Sequence, residues 1–71
     1  SKRLLPIQII DGKLSEDEKI FNNNVEIGRV LIDEKYPFAL IKYLDKNFEK
    51  NKIIKGSNGS FKILIPDWLD I

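Results

Sequence analysis

Hydrophobic and polar residues alternate with the period of a β-strand along most of the chain. In the first such stretch, RLLPIQIID, the residues Leu5, Ile7 and Ile9 share one parity and are predicted to face a core. Pro6 has no N–H to donate to a neighbouring strand. We therefore expect this strand to lie at the edge of a sheet, or Pro6 to face away from a partner strand.

The stretch NNNVEIGRVLID breaks this alternation, because its apolar residues change parity in the middle. The two pairs are Val25 with Ile27 and Val30 with Ile32. A β-bulge at Gly28-Arg29 places one extra residue between the two pairs, so that both pairs face the core. Arg29 then lies in solvent. We expect such a bulge, and we expect the Asn residues at 22–24 to form a turn.

The stretch FALIKYLDKNFEKN fits two structures. Four apolar residues fall at helical spacing: Leu40, Ile41, Leu44 and Phe48. The segment 38–44 is nevertheless dense in β-branched and aromatic residues, which favour strands. We expect a strand to about Tyr43 and then one or two helical turns over residues 45–50.

The stretch KIIKGSNGSFKILIP predicts a β-hairpin. Residues 57–59 are its turn, and their Asn-Gly pair is typical of a type I′ turn with positive φ angles. Phe61, Ile63 and Ile65 alternate inward along the second strand. Leu64 is apolar on the outward side, which indicates a covered surface.

Five or six short strands joined by turns predict an all-β fold, namely a small antiparallel five- to six-stranded barrel with one short helical turn. The 71 residues suffice for a single domain. The chain contains no Met, which predicts a domain cut from a longer protein. It also contains no Cys, in keeping with a reducing compartment such as the cytoplasm.

Charge and composition argue against several classes of function. The formal net charge is +1, with acidic and basic residues interspersed, whereas a nucleic-acid interface usually needs a concentrated basic face. No apolar run approaches the roughly 20 residues of a membrane helix, so no membrane contact is predicted.

No residue is predicted to be catalytic, to bind a cofactor or to bind a metal. Cys and His are absent, and the acidic clusters at 16–18 and 33–34 fall in predicted loops, where we interpret them as solvated. The glycines at 56 and 59 lack the Lys-Ser/Thr ending of a phosphate loop.

Four short motifs follow one another along the chain: KRLLPI at Lys2–Ile7, IGRV at Ile27–Val30, ALIKY at Ala39–Tyr43 and PDW at Pro66–Trp68. In this order they resemble the C-terminal β-barrel domain of the YgfZ-type folate-binding proteins, which are relatives of the glycine-cleavage T-protein (aminomethyltransferase). The resemblance covers essentially the whole chain and is closest to the iron–sulfur-assembly branch. It departs from the family pattern at Asp33–Pro37, where the family has small residues.

The resemblance implies that residues 1–71 are the single C-terminal barrel of a larger folate-binding protein. Tetrahydrofolate is then the cofactor of the parent, with none in this domain, and the partner is the folate-binding domain of the same chain. The implied role is support of iron–sulfur enzyme maturation and tRNA modification in the cytoplasm, or in the mitochondrial matrix of a eukaryote. A candidate interdomain surface is formed by Leu64, Trp68, Leu69 and Ile71.

Two alternatives stay open. The chain also fits the C-terminal domain of a true aminomethyltransferase, so whether the parent is an enzyme is undecided, although the isolated domain is expected to be non-catalytic. The second alternative is an independent nucleic-acid-binding β-barrel, against which the near-zero net charge counts.

Overall fold

The computed structural model describes residues 1–67 and Leu69, and six antiparallel strands account for most of its regular structure. The strands are β1 (Arg3–Gly12), β2 (Lys19–Asn22), β3 (Val25–Asp33), β4 (Tyr36–Ile41), β5 (Ile53–Lys55) and β6 (Gly59–Ile63). They form one sheet in the order β2-β3-β4-β1-β6-β5. The two outermost strands, β2 and β5, come into contact, so the sheet curls into a nearly closed barrel. The predicted all-β barrel is confirmed.

Alternate residues of the strands fill the barrel. Val30, Ala39 and Leu5 face one another across β3, β4 and β1, and none is more than 1% exposed. Ile7 and Ile63 continue this lining across β1 and β6. The buried core consists of Leu5, Ile7, Ile20, Ile27, Val30, Ala39, Ile41, Ile54, Phe61 and Ile63.

Partly buried side chains plug the two ends of the barrel. Strands β1 and β3 run in the same direction and finish at one end, where Leu14 and Ile32 pack against the core. Strands β4 and β6 finish at the opposite end, which is filled by Tyr43, Phe48, Ile65 and Leu69.

Strand β1 lies inside the strand order, so of the two alternatives predicted for Pro6 the edge strand is wrong. It pairs with β4 as far as Pro6 and with β6 from Ile7 onward. Because Pro6 lies at this change of partner, its missing N–H is tolerated, and its carbonyl accepts a hydrogen bond from the Leu64 N–H at 2.9 Å. Ile9, also predicted to be core, is 44% exposed beside the register shift between Ile9 and Asp11.

The expected bulge is present in β3, one residue earlier than predicted. Ile20 faces Gly28 while Phe21 faces Glu26, which leaves Ile27 as the extra residue. The parity therefore changes after Ile27, and both Ile27 and Val30 are fully buried. Arg29 points to solvent, as predicted.

Val25, the fourth residue that the bulge was expected to bury, is 39% exposed. It pairs with Asn22 beside the turn that joins β2 to β3. Asn23 and Asn24 have φ angles of 54° and 62°, as the predicted Asn turn requires.

The segment after β4 contains no helix, so the predicted helical turns over residues 45–50 are wrong. Strand β4 also ends at Ile41 rather than near Tyr43. Single turns replace the helix, closed by hydrogen bonds from Asp45 N–H to Lys42 O and from Phe48 N–H to Asp45 O, both 3.0 Å long. Of the four apolar residues at helical spacing, Leu40 and Ile41 belong to β4, Phe48 packs against the core and Leu44 is exposed.

The hairpin of β5 and β6 is confirmed, but its turn is not of type I′. Lys55 pairs with Ser60, and Gly56 N–H donates to Gly59 O at 2.7 Å, which makes a four-residue loop. No residue of this loop has a positive φ. Loops of this length are most often built around a type I turn, for which an Asn-Gly pair is not required.

Candidate functional site

A polar network joins the end of β2 to the segment that precedes β5, beside the seam where β2 and β5 have no ladder hydrogen bonds. At its centre lies Asn22, a buried polar residue with 7% exposure. Its Nδ2 donates to the carbonyl of Asn47 at 2.7 Å and to Oε2 of Glu49 at 2.9 Å. Its Oδ1 accepts from Lys52 Nζ at 2.6 Å. Every polar atom of the Asn22 side chain is thus used to close the barrel.

Glu49 and Lys52 complete this network as an ion pair 3.2 Å long. The hydrogen bond from Asn22, followed by the hydrogen bond and the positive charge of Lys52, lowers the pKa of Glu49 below its usual value. Glu49 is therefore ionised near neutral pH, where it is a poor proton donor or acceptor.

Glu18 holds the other end of the seam together. One carboxylate oxygen accepts from the Ser57 N–H at 2.9 Å, and the other accepts from the Ser15 N–H at 3.2 Å. Beside Glu18 lies an open groove of about 390 Å³, lined by Glu18, Lys19, Phe21, Lys55, Gly56 and Ser57. Because the carboxylate accepts hydrogen bonds from backbone N–H groups, Glu18 is not a free base in this groove.

Acidic residues of the loop before β2 form hydrogen bonds and an ion pair with other parts of the same chain. Glu16 accepts from the Ile32 N–H with both oxygens, and Asp17 pairs with Arg29 at 2.8 Å. Both carboxylates remain exposed, in line with the solvated loop predicted for residues 16–18. Over residues 1–67 and Leu69, no cluster of three or more acidic, His or Cys side chains is arranged to hold a metal ion.

The outside of the barrel carries an apolar face over three adjacent strands, β3, β4 and β1, and the residue that follows β6. Residues opposite one another in antiparallel strands project from the same side of the sheet. Leu31, Phe38 and Pro6 face one another across β3, β4 and β1, and the hydrogen bond from Leu64 places that residue next to Pro6.

A second row, from Leu40 to Leu4, lies beside the first. Together these residues form the outer apolar face: Leu4, Pro6, Leu31, Phe38, Leu40 and Leu64.

The structure places the predicted interdomain residues Leu64 and Leu69 in different surroundings. Leu64 is 39% exposed and belongs to the outer apolar face. Leu69 is partly buried and packs against the barrel's own core. It lines an open depression of about 350 Å³ together with Lys50, Asn51, Ile65, Pro66 and Asp67. Trp68 and Ile71 lie outside the described residues.

Sequence reasoning missed most of the outer apolar face, although a signal was present. The runs VLI in β3 and FALI in β4 place apolar residues on both parities of two adjacent strands. Strands that are apolar on both sides are typical of sheets covered on both faces.

Among the residues that the structure describes, none belongs to a helix with the length and apolarity needed to cross a membrane. Searches with the chain found no match among protein-family models, curated proteins or solved structures.

Proposed function

We propose that this chain is the non-catalytic C-terminal barrel of a YgfZ-like folate-binding protein and packs against the folate-binding part of the same parent chain. The parent binds tetrahydrofolate and supports iron–sulfur enzyme maturation, and with it tRNA modification, in the cytoplasm or the mitochondrial matrix. The observation that supports the proposal is a filled barrel whose outer apolar face is partly exposed, without a metal-ligand cluster among the described residues.

The positions of the family-like motifs support a structural role for them. Leu5 and Ile7 of the first motif are core residues, and Ala39 of the third motif is fully buried. Gly28 of the second motif lies at the bulge, where β4 leaves no space for a side chain. Leu5, Ile7, Gly28 and Ala39 therefore have structural roles that account for their place in the motifs.

Titration of the ¹⁵N-labelled chain with tetrahydrofolate tests the proposal. We expect no saturable change in the amide NMR spectrum of the barrel alone, because the folate pocket belongs to the other part of the parent. Specific, saturable shifts at low ligand concentration would contradict a purely accessory role.

The coding region before Ser1 provides the second test. We expect it to encode a folate-binding region in frame with this barrel, and its absence would overturn the proposal. If the region is present, assays of the parent for aminomethyl transfer separate the YgfZ-like role from that of a true aminomethyltransferase. An RNA-binding assay at low salt, where phosphate attraction is strongest, tests the nucleic-acid alternative.

A further inference from the structure

We propose that Asn58, in the loop between β5 and β6, is a site of spontaneous deamidation, and that packing of the end of β1 on the Asn58–Gly59 peptide limits its rate. This modification site goes beyond the proposed function and does not depend on it. The proposal has two parts, the residue that reacts and the contact that restrains it.

The side-chain amide of Asn58 is exposed, and among the described residues it has no hydrogen-bond partner. The amides of Asn22, Asn23 and Asn47 all donate hydrogen bonds within the chain. Deamidation begins with attack by the backbone nitrogen of the next residue, and a side chain on that residue hinders the approach. Gly59 has no side chain. The other asparagines precede bulkier residues: Asn22, Asn23, Asn24, Asn47 and Asn51.

The reaction needs only the chain and water. The backbone nitrogen of Gly59 attacks Cγ of Asn58, a nitrogen–carbon bond forms, and the bond from Cγ to Nδ2 breaks. Nδ2 leaves as ammonia together with the proton that the Gly59 nitrogen loses. Water then opens the five-membered succinimide ring at either carbonyl, which gives aspartate or isoaspartate without any change of oxidation state.

The end of β1 holds the peptide that must move in this reaction. The Lys13 N–H donates to the carbonyl oxygen of Asn58 at 3.0 Å. Gly12 packs so closely that a side chain there would overlap this oxygen and lie 2.7 Å from Cα of Gly59. To reach Cγ, the Gly59 nitrogen must turn with the whole peptide unit, because the peptide is planar. This rotation breaks the hydrogen bond from Lys13, so the reaction requires local opening of the hairpin end.

The products change both charge and chain path at this contact. Either product adds one negative charge to a formal net charge of +1. Isoaspartate also lengthens the main chain by one carbon atom between Asn58 and Gly59. We expect this product to lose the hydrogen bonds that lie on either side of the insertion, from Lys13 N–H to Asn58 O and from Ser60 N–H to Asp11 Oδ1. The start of β6 then separates from the end of β1.

Timed incubation of the chain at mildly alkaline pH, in buffer and in concentrated urea, tests both parts. Peptide mass mapping follows conversion of amide to acid at each asparagine, and chromatography separates aspartate from isoaspartate. We expect Asn58 to react before every other asparagine in both solutions. Its rate should be at least about tenfold higher in urea, because unfolding removes the cost of local opening.

Two variants separate the site from its restraint. Asn58→Gln should abolish the early product, because ring closure through the longer side chain is slow. Gly12→Ala should raise the rate in buffer at least about threefold, because the added methyl group meets the Asn58 carbonyl at a backbone φ of 70°. If circular dichroism shows that Gly12→Ala does not fold, hydrogen exchange of the Lys13 amide in the parent sequence replaces it. The deamidation rate should then rise together with that exchange as urea is added below the unfolding transition.

Product that appears first at another asparagine, such as Asn24 or Asn51, overturns the site. Equal rates at Asn58 in buffer and in concentrated urea overturn the restraint by β1. Neither result bears on folate binding by the parent, so the proposed function is tested separately.

Discussion

Gly28 lies where β3 passes closest to β4. A side chain at this position would overlap the carbonyl oxygen of Leu40 and lie 2.7 Å from Cδ1 of Ile41. The φ angle of Gly28 is not in the left-handed region, so the position requires space rather than an unusual backbone conformation. The neighbouring Lys42 N–H donates to Ile27 O at 2.8 Å, and this bond keeps the two strands together at the bulge.

Gly28→Ala is expected to lower the free energy of unfolding by about 1 to 3 kcal/mol, because the added methyl group meets backbone of β4 that is fixed by pairing. Urea unfolding measures the loss. Gly56→Ala is the comparison, since its new methyl group displaces the carboxylate of Glu18 and disturbs its hydrogen bond to the Ser57 N–H, but meets no backbone atom closer than 3.4 Å. A loss at Gly28 no larger than the loss at Gly56 would contradict the close-approach explanation.

The lowered pKa of Glu49 makes the stability of the chain depend on acidity. Its contribution is complete above the usual pKa of a glutamate, about 4.3, and disappears as the pH falls through the lower value in the folded chain. We expect Glu49→Gln to lose stability at neutral pH and to show a smaller decrease between neutral and acidic pH than the parent sequence. Thermal melts across this pH range measure the difference, and parallel curves for both proteins would count against the Glu49 interaction.

At the scale of elements, β1 presents its two faces to different surroundings. Its inward residues line the core, whereas its outward residues Leu4 and Pro6 belong to the outer apolar face. The strand also changes partner after Pro6, so that both halves of the barrel depend on it. Adjacent residues of the same type therefore make different contributions to stability.

Leu4 and Leu5 are a matched pair that measures this difference. Leu5 is 1% exposed and Leu4 is 55% exposed. Leu5→Ala should cost about 2 to 5 kcal/mol, because it removes core contacts and leaves a cavity. Leu4→Ala in the isolated chain should cost less than about 1 kcal/mol, because its side chain already meets water. Chemical denaturation of both variants provides the measurement, and similar losses would show that the outward placement of Leu4 is wrong.

At the scale of the whole molecule, the barrel closes by two different means. Ladder hydrogen bonds join five pairs of neighbouring strands, whereas hydrogen bonds of the Asn22 and Glu18 side chains join β2 and the residue before it to the segments on either side of β5. A folded domain of this length has a stability of about 4 to 10 kcal/mol. Losing one buried polar connection therefore removes a large share of it.

Asn22→Ala is expected to destabilise the chain by about 1 to 3 kcal/mol, because it leaves Lys52 and the Asn47 carbonyl without their buried partner. The control is Asn58→Ala, which removes an exposed amide from a loop residue without a positive φ. In the Asn22 variant, the backbone amides of β2 and β5 should also exchange hydrogen faster than those of β1. Uniform protection across the barrel would show that the seam does not depend on Asn22.

Much of the fold could be predicted from sequence because period-two alternation is a local property. It identified the regions of β1, β3 and β6, the core residues Leu5, Ile7, Phe61 and Ile63, and the need for a bulge near Gly28. The predictions for Val25 and Ile9 failed for one reason: inward parity buries a side chain only where neighbouring strands or plugs cover it. Both residues have inward parity at positions where that cover is incomplete.

The seam and the outer apolar face could not be predicted in the same way. Nothing in the local pattern indicates that Asn22 will meet Asn47, Glu49 and Lys52, which follow it by 25 to 30 residues. The helical spacing around Leu44 and Phe48 even favoured the wrong local structure. Turns formed there instead, where Phe48 plugs the end of the barrel and Leu44 stays exposed.

The sequence by itself determined the class of fold, because alternation, turn residues and the lack of Cys and His act locally or through composition. Tertiary structure decided which strands became neighbours and therefore which side chains share a surface. Leu31, Phe38, Pro6 and Leu64 are separate apolar residues along the chain and become one row only through the register of β3, β4, β1 and β6. Long-range strand pairing places residues side by side irrespective of their separation in sequence, and this pairing created the face on which the proposed function depends.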